Sequence, residues 1–126
     1  MPRRCGVNVV ELASDPHAGL IVVSDPYNVA MRGMILQLTE KHGVPLIAPY
    51  KQFAVDGGLM SYGPDTVDIF RRSSSYVDRI LKGELPGNLP AQSPDKFELV
   101  FNLRRAKALG LSVREPFVQL ADEVLE

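Results

Sequence analysis

Two short apolar runs with helical spacing between them open the regular part of this chain. Residues 19–24 read GLIVVS, a β-branched run bounded by the turn residues Asp25-Pro26, which is typical of a strand buried on both faces. The apolar residues that follow have helical spacing: Met31, Met34, Ile35 and Leu38. Gly43 is placed to end this helix, and residues 44–48 (VPLIA) predict a second buried strand. This order predicts a parallel βαβ unit.

A second strand-to-helix junction follows a short helical turn at residues 51–56. Residues 59–62 predict a third strand, after which Gly63-Pro64-Asp65 opens a helix that Asp65 can cap. One face of this helix stays apolar or small until the Lys82-Gly83 stop: Val67, Phe70, Ser73, Val77, Ile80 and Leu81.

The last third of the chain begins with a connection rich in proline. Residues 84–96 contain three prolines and predict an extended surface segment. Residues 97–101 (FELVF) predict a strand, and Asn102 can cap a helix over residues 103–109. A final amphipathic helix is expected from Glu115 through Leu125. Together these elements predict an α/β fold with three layers, in which helices flank a mainly parallel sheet.

Composition excludes several classes of function. The 126 residues suffice for one ordinary domain, and a net charge of −1 favours neither nucleic acid nor a membrane surface. Cys5 is the single cysteine, and no Cys/His cluster has metal-ligand spacing. No apolar run reaches the roughly 20 residues that span a bilayer. Acidic residues at Glu11 and Asp15 interrupt any secretory leader. We therefore expect no metal, no cofactor and no direct membrane insertion.

Polar residues at the strand ends are the candidate site. In open α/β sheets ligands bind beyond the carboxyl ends of the strands. Residues with binding chemistry follow the three predicted strands, and we predict that they contact a ligand: Asp25, Tyr27, Tyr50, Ser61, Tyr62 and Asp65. Aromatic rings, hydroxyls and carboxylates suit binding better than catalysis. Taken singly, the aspartates are equally well interpreted as helix caps, and Ser61 and Tyr62 as strand-end packing.

Catalytic signatures are missing from the sequence. It has no G-x-S-x-G elbow, no Walker-type loop and no G-x-G-x-x-G. Asp25 and Asp65 could pair as acid and base, but no histidine or nucleophile is tied to them. We expect a protein that is not an enzyme.

The order of motifs resembles one family of transport proteins. The segments LIVVSDP, GGLMSYGPD, ILKGELPGNLP and FELVFNLRRAKALGL are similar to the C-terminal part of ABC-transporter substrate-binding proteins of the tryptophan/tyrosine-binding-like type, with the type I periplasmic-binding fold. The resemblance runs from residue 19 to the end, whereas residues 1–18 match poorly. It implies a partial solute-binding domain over residues 19–126, with Asp25, Ser61, Tyr62 and Asp65 facing a small solute such as an amino acid.

The resemblance also implies a partner and a compartment. Members of this family are periplasmic and deliver solute to an ABC permease, although the chain as written has no signal peptide and would stay cytoplasmic. They have two lobes, and the first lobe has no counterpart here. Surfaces that it would cover are expected to pair in a homodimer or higher homo-oligomer.

Two alternative functions stay open at this point. The chain could be a small flavodoxin-like enzyme or regulator that uses Asp25 and Asp65 around a metal or phosphate. It could also be a remnant that forms oligomers and binds no ligand.

Overall fold

The apolar runs form the strands of one mixed sheet. In the computed structural model, which describes residues 9–126, five strands pair in chain order: β1 (Leu20–Ile21), β2 (Leu46–Ala48), β3 (Met60–Pro64), β4 (Phe97–Asn102) and β5 (Glu123–Leu125). The pairs β1–β2, β2–β3 and β4–β5 are parallel. Strand β4 runs against β3, because Asn102 N–H donates to Leu59 and Asp65 N–H donates to Lys96.

Short helices alternate with these strands: α1 (Pro26–Ala30), α2 (Arg32–His42), α3 (Lys51–Val55), α4 (Thr66–Leu81), α5 (Leu103–Ala108) and α6 (Glu115–Val118). Residues 9–12 are also helical, and Pro86–Asn88 forms one 3₁₀ turn. The segment between β1 and Gly43, for which one helix was predicted, forms two helices, because Met31 leaves helical geometry at φ −91° and ψ 8°. Gly43 ends α2 at φ 66°, as predicted.

The apolar core lies between the sheet and helices α2 and α3. It is formed by the buried residues Val22, Ile35, Leu36, Leu46, Ala48 and Phe53. Thr39 is buried beside them, and its hydroxyl donates to the carbonyls of Ile35 and Leu36, so the burial leaves no unpaired donor. The Asn102 side chain donates to the carbonyl of Ala54 over 2.9 Å. The same side chain accepts from the N–H of Arg105, which makes Asn102 the predicted cap of α5.

The predicted C-terminal helix is wrong beyond its first turn. Helix α6 has four residues, and the chain then pairs with β4, where Phe101 lies opposite Val124. The free edge of β4 attracts this segment because it offers unpaired backbone groups. Asp122 N–H donates to Leu99, and Leu99 N–H donates to the Asp122 carboxylate over 2.7 Å. These non-local bonds outweigh the local helical pattern.

Two units make up the chain. Unit 1 contains the described residues up to Gly63 together with Glu98–Glu126, and unit 2 is Pro64–Phe97. Unit 2 consists of α4 and the proline-rich connection, which is extended as predicted apart from the 3₁₀ turn. The predicted division of the chain at residue 18 stays a prediction.

Gly63 closes unit 1 at a point where no side chain fits. A β-carbon built there would overlap the carbonyl oxygen of Pro49. We expect Gly63→Ala to lower the free energy of unfolding by about 3 kcal/mol, because backbone must move to admit the methyl group. Gly33→Ala is the matched control, since a β-carbon there meets nothing within 4 Å and alanine favours a helix by about 0.5–1 kcal/mol. Urea denaturation measures both, and an unchanged Gly63→Ala midpoint would contradict the overlap.

Candidate solute-binding site

Residues from five strands meet at one edge of unit 1, which we call the strand-end edge. It consists of the segments that follow β1 and β2, the end of β3, and Glu98 and Glu123 near the amino ends of β4 and β5. The antiparallel β3–β4 pairing places the amino end of β4 beside the carboxyl end of β3. The edge therefore holds residues that lie far apart in sequence.

A pair of hydroxyl groups joins the first two strand ends. Ser24 Oγ and Tyr50 Oη lie 2.7 Å apart and share a hydrogen bond. The Asn28 side chain donates to the carbonyl of Val23 and holds the loop that carries Ser24. Since each hydroxyl has one proton and two lone pairs, a shared bond leaves one proton to donate to a ligand. Tyr50 was predicted as a site residue. Ser24 was not predicted, although it ends the apolar run of residues 19–24.

The two predicted aspartates cap helices. Asp25 accepts from the N–H of Tyr27 over 2.8 Å and caps α1. Asp65 accepts from the N–H of Asp68 over 3.0 Å and caps α4. Its carboxylate also pairs with the Lys96 ammonium at 2.8 Å. Asp65 lies in unit 2, whereas the other five predicted site residues lie in unit 1. The cap interpretation therefore describes both aspartates, and their contact with a ligand stays a prediction.

The Asp65–Lys96 pair shifts the titration of both groups. The hydrogen bond from Lys96, followed by that from the Asp68 N–H, lowers the pKa of the Asp65 carboxyl. The same hydrogen bond raises the pKa of the Lys96 ammonium. Both shifts favour the charged forms, so the pair ties the start of α4 to the end of the proline-rich connection at neutral pH.

The remaining predicted residues differ in exposure. Tyr27 and Tyr62 are 49% and 59% exposed, so both rings are accessible at the surface of unit 1. Ser61 is only 1% exposed, and its hydroxyl has no hydrogen-bond partner among the described residues. Alternation along β3 explains the contrast, because neighbouring strand residues point to opposite faces.

A charged cluster that the sequence did not reveal lies next to Tyr50. The Lys51 ammonium is 2.5 Å from the Glu123 carboxylate and 3.6 Å from that of Glu98. The hydrogen bond with Glu123 is the main cause of the raised pKa of Lys51. One ammonium between two carboxylates leaves a net negative charge at the strand-end edge. No sequence signal could find this cluster, because it depends on the direction of β4 and on β5 being a strand.

Other kinds of site are not seen in residues 9–126. No three His, Cys, Asp or Glu side chains in this range are grouped so that they could hold a metal ion. Within the same range no helix has the length and apolar character needed to cross a membrane.

The sequence matches the family model of the ABC transporter substrate binding protein over residues 7–125. The chain belongs to this family. No curated protein sequence matches it. The recognition of the family from the motif order is thus confirmed. Substrate-binding proteins of this family are not catalytic, and the expectation that this chain is no enzyme stays a prediction.

Solved structures of similar fold come from three bacteria. A conserved domain protein from Vibrio cholerae has a TM-score of 0.85 and 20% identity over 98% of this chain and 41% of its own. An ABC domain in complex with L-Trp from Streptococcus pneumonia has a TM-score of 0.83 and 18% identity over 98% and 42%. A ligand-free, open substrate binding protein with adhesive properties from Clostridium difficile has a TM-score of 0.66 and 16% identity over 100% and 41%.

These likenesses confirm the predicted fold, a mainly parallel sheet with flanking helices of the periplasmic-binding type. The chain spans about two fifths of the length of the structures that it resembles.

Removal of the Ser61 hydroxyl tests whether this buried group lacks a hydrogen-bond partner. We expect Ser61→Ala to raise the free energy of unfolding by about 1 kcal/mol, because a buried hydroxyl without a partner is costly. Ser24→Ala is the control, since that hydroxyl is bonded to Tyr50, and its loss should not stabilise. Thermal unfolding without ligand measures both, and a destabilised Ser61→Ala would show that the hydroxyl has a partner.

The pH dependence of unfolding tests the Asp65–Lys96 pair. A carboxyl with a lowered pKa stabilises the fold above its unfolded pKa of about 3.9, and this contribution is lost as the pH falls through the folded value. We expect Asp65→Asn, which retains a capping oxygen, to be less stable than the wild type at neutral pH. The two should converge towards about pH 2.

Urea unfolding at a series of pH values, with and without added salt, measures this difference. Salt should reduce it because the pair is partly exposed. A difference that is constant with pH would contradict the role of the carboxylate charge.

Proposed function

We propose that this chain binds a small solute, an amino acid with an aromatic side chain, at the strand-end edge of unit 1. The observation that carries the proposal is the Ser24–Tyr50 hydroxyl pair, which provides a hydrogen-bond donor in the unit that also carries the exposed rings of Tyr27 and Tyr62. Membership of the substrate-binding family supports a solute as the ligand. The fold similarity to a domain in complex with L-Trp supports the aromatic class.

Each part of an amino acid has a complement at this edge. A carboxylate ligand group accepts hydrogen bonds from hydroxyls such as that of Ser24 or Tyr50. An ammonium group is attracted by the net negative charge of the cluster of Lys51, Glu98 and Glu123. Aromatic side chains pack against tyrosine rings with offset or edge geometry. Asp25 and Ser61 stay candidates for secondary contacts at this edge, whereas the contact of Asp65 with a ligand stays a prediction.

The role in transport is a proposal of the same kind. We infer that the solute is passed without chemical change to an ABC permease and that the protein acts in the periplasm, as the family does. No cofactor is needed for this function. We also propose that the chain forms a homo-oligomer.

Calorimetric titration with single amino acids tests the proposed ligand. Tryptophan and tyrosine should bind more tightly than alanine, because they bury more apolar area. Tyr50→Phe removes one hydroxyl and should weaken binding about tenfold, which corresponds to roughly 1.4 kcal/mol. Tyr62→Ala should weaken the aromatic ligands more than alanine.

The fourth tyrosine of the chain is the matched control. Tyr76 lies in unit 2, where its hydroxyl donates to the carbonyl of Pro90. Tyr76→Phe should leave the affinity unchanged. Equal loss in Tyr76→Phe and Tyr50→Phe would place the ligand elsewhere. Binding of Mg²⁺ or a phosphoryl compound in place of amino acids would favour the enzyme or regulator, and no thermal shift with any solute would favour the remnant.

A further inference from the structure

The Lys51 side chain reaches across the carboxyl end of a neighbouring strand. Lys51 is the first residue of α3, in the segment that follows β2. The carboxylates that it contacts belong to Glu98 in β4 and Glu123 in β5, and the strand order places β3 between β2 and these two strands. Neighbouring strands are about 4.8 Å apart, so β2 and β4 are separated by roughly 10 Å. The lysine therefore contacts two strands that are not next to its own.

Both carboxylates project from one face of the sheet. Glu123 lies opposite Val100 in the parallel pair β4–β5, and residues opposite each other share a face. Glu98 precedes Val100 by two residues and has the same face, because side chains alternate along a strand. The Lys51 ammonium is 2.5 Å from the Glu123 carboxylate and 3.6 Å from that of Glu98. It therefore occupies a cation position between two like charges.

A glycine and a buried hydroxyl lie beside these carboxylates. The backbone bond between Leu59 and Asn102, in strands that run antiparallel, places Gly63 opposite Glu98. Ser61 is two positions before Gly63 and shares its face of β3. The Ser61 hydroxyl is buried without a hydrogen-bond partner among the described residues. Buried polar groups have a partner in the large majority of cases, so an unpaired hydroxyl beside a charged cluster points to a polar ligand group that completes it.

The two halves of the strand-end edge differ in charge. Two carboxylates and one ammonium leave one net negative charge at β4 and β5. The hydroxyls of Ser24 and Tyr50, at the ends of β1 and β2, are neutral. The hydrogen bond with Glu123 raises the pKa of Lys51, which keeps its ammonium charged. A solute with one ammonium and one carboxylate thus meets an attracting charge for the first group and neutral donors for the second.

We propose that Lys51 sets the charge class of the solute, so that the site takes a zwitterion in preference to an amine or to an acid without an ammonium group. The inference rests on the proposed function, because it concerns the same solute at the same edge. Without Lys51, the two carboxylates of Glu98 and Glu123 would attract an amine and repel the carboxylate of an amino acid. With one carboxylate fewer, the cluster would be neutral and would no longer attract the ammonium group. The lysine therefore acts by excluding the wrong charge as well as by admitting the right one.

Three compounds with the same indole ring separate the charge classes in a calorimetric titration. They are tryptophan, tryptamine, which lacks the carboxylate, and indole-3-propionate, which lacks the ammonium group. The wild type should bind tryptophan most tightly. Lys51→Met removes the charge and retains an unbranched chain, and it should raise the affinity of tryptamine relative to tryptophan about tenfold. Glu98→Gln should raise the affinity of indole-3-propionate relative to tryptophan by about the same factor.

Two further variants are matched controls. Lys51→Arg keeps the positive charge and should retain the wild-type order of affinities. Lys82→Met removes a lysine charge in unit 2, where Lys82 pairs with Asp78, and should change no ratio. Added salt should reduce the effect of Lys51→Met, because the cluster is partly exposed. Circular dichroism checks that each variant is folded, and Glu98→Gln tests the same charge count with the lysine in place.

The outcomes separate this inference from the proposed function. If tryptophan binds and Lys51→Met leaves all affinity ratios unchanged, the inference is wrong and the proposed function stands. The same holds if Lys82→Met changes the ratios as much as Lys51→Met does, or if Glu98→Gln shifts the preference towards tryptamine. A wild type that binds none of the three compounds would overturn the proposed function, and the inference with it.

Discussion

The antiparallel pairing of β4 against β3 is the constraint on which the strand-end edge depends. Leu59 and Asn102 bond at one end of this pairing within unit 1. Because β4 reverses direction, Glu98 lies at the same edge as the carboxyl ends of β1, β2 and β3. Strand β5 follows β4 in parallel and adds Glu123. A fully parallel sheet would have placed both glutamates at the opposite edge, away from Lys51 and Tyr50.

Features that depend on residues close together in sequence were predicted correctly, whereas features that depend on residues far apart in sequence were not. Gly43, Asp65 and Asn102 were identified as helix boundaries because a cap is decided within one turn of chain. Strand β5 was missed because its stability comes from Leu99, more than twenty residues earlier. The cluster around Lys51 was hidden for the same reason. Periodicity also predicted the apolar face of α4, yet it could not say whether that face is buried.

An aspartate at the end of a strand can contact a ligand or cap the following helix. The aspartates at positions 25 and 65 were selected as ligand groups because they follow strands, but the same position makes them helix caps. The hydroxyls of Ser24 and Tyr50 cap no helix and instead share a hydrogen bond with each other. Side chains bonded only to other side chains at a strand end are better candidates for ligand contact than those engaged by a cap, because a ligand can replace their mutual bond without releasing a helix.

The contact between Pro49 and Gly63 divides the strand-end edge into fixed and variable positions. The carbonyl of Pro49 occupies the space of a side chain at Gly63, so the main chain itself sets how closely the segment after β2 approaches β3. Ser24, Tyr50 and Tyr62 project from this frame as side chains. A library of variants made to alter solute preference should therefore randomise positions 24, 50 and 62 and keep positions 49 and 63 constant. Substitutions at 49 and 63 would destabilise the fold before they changed the selectivity.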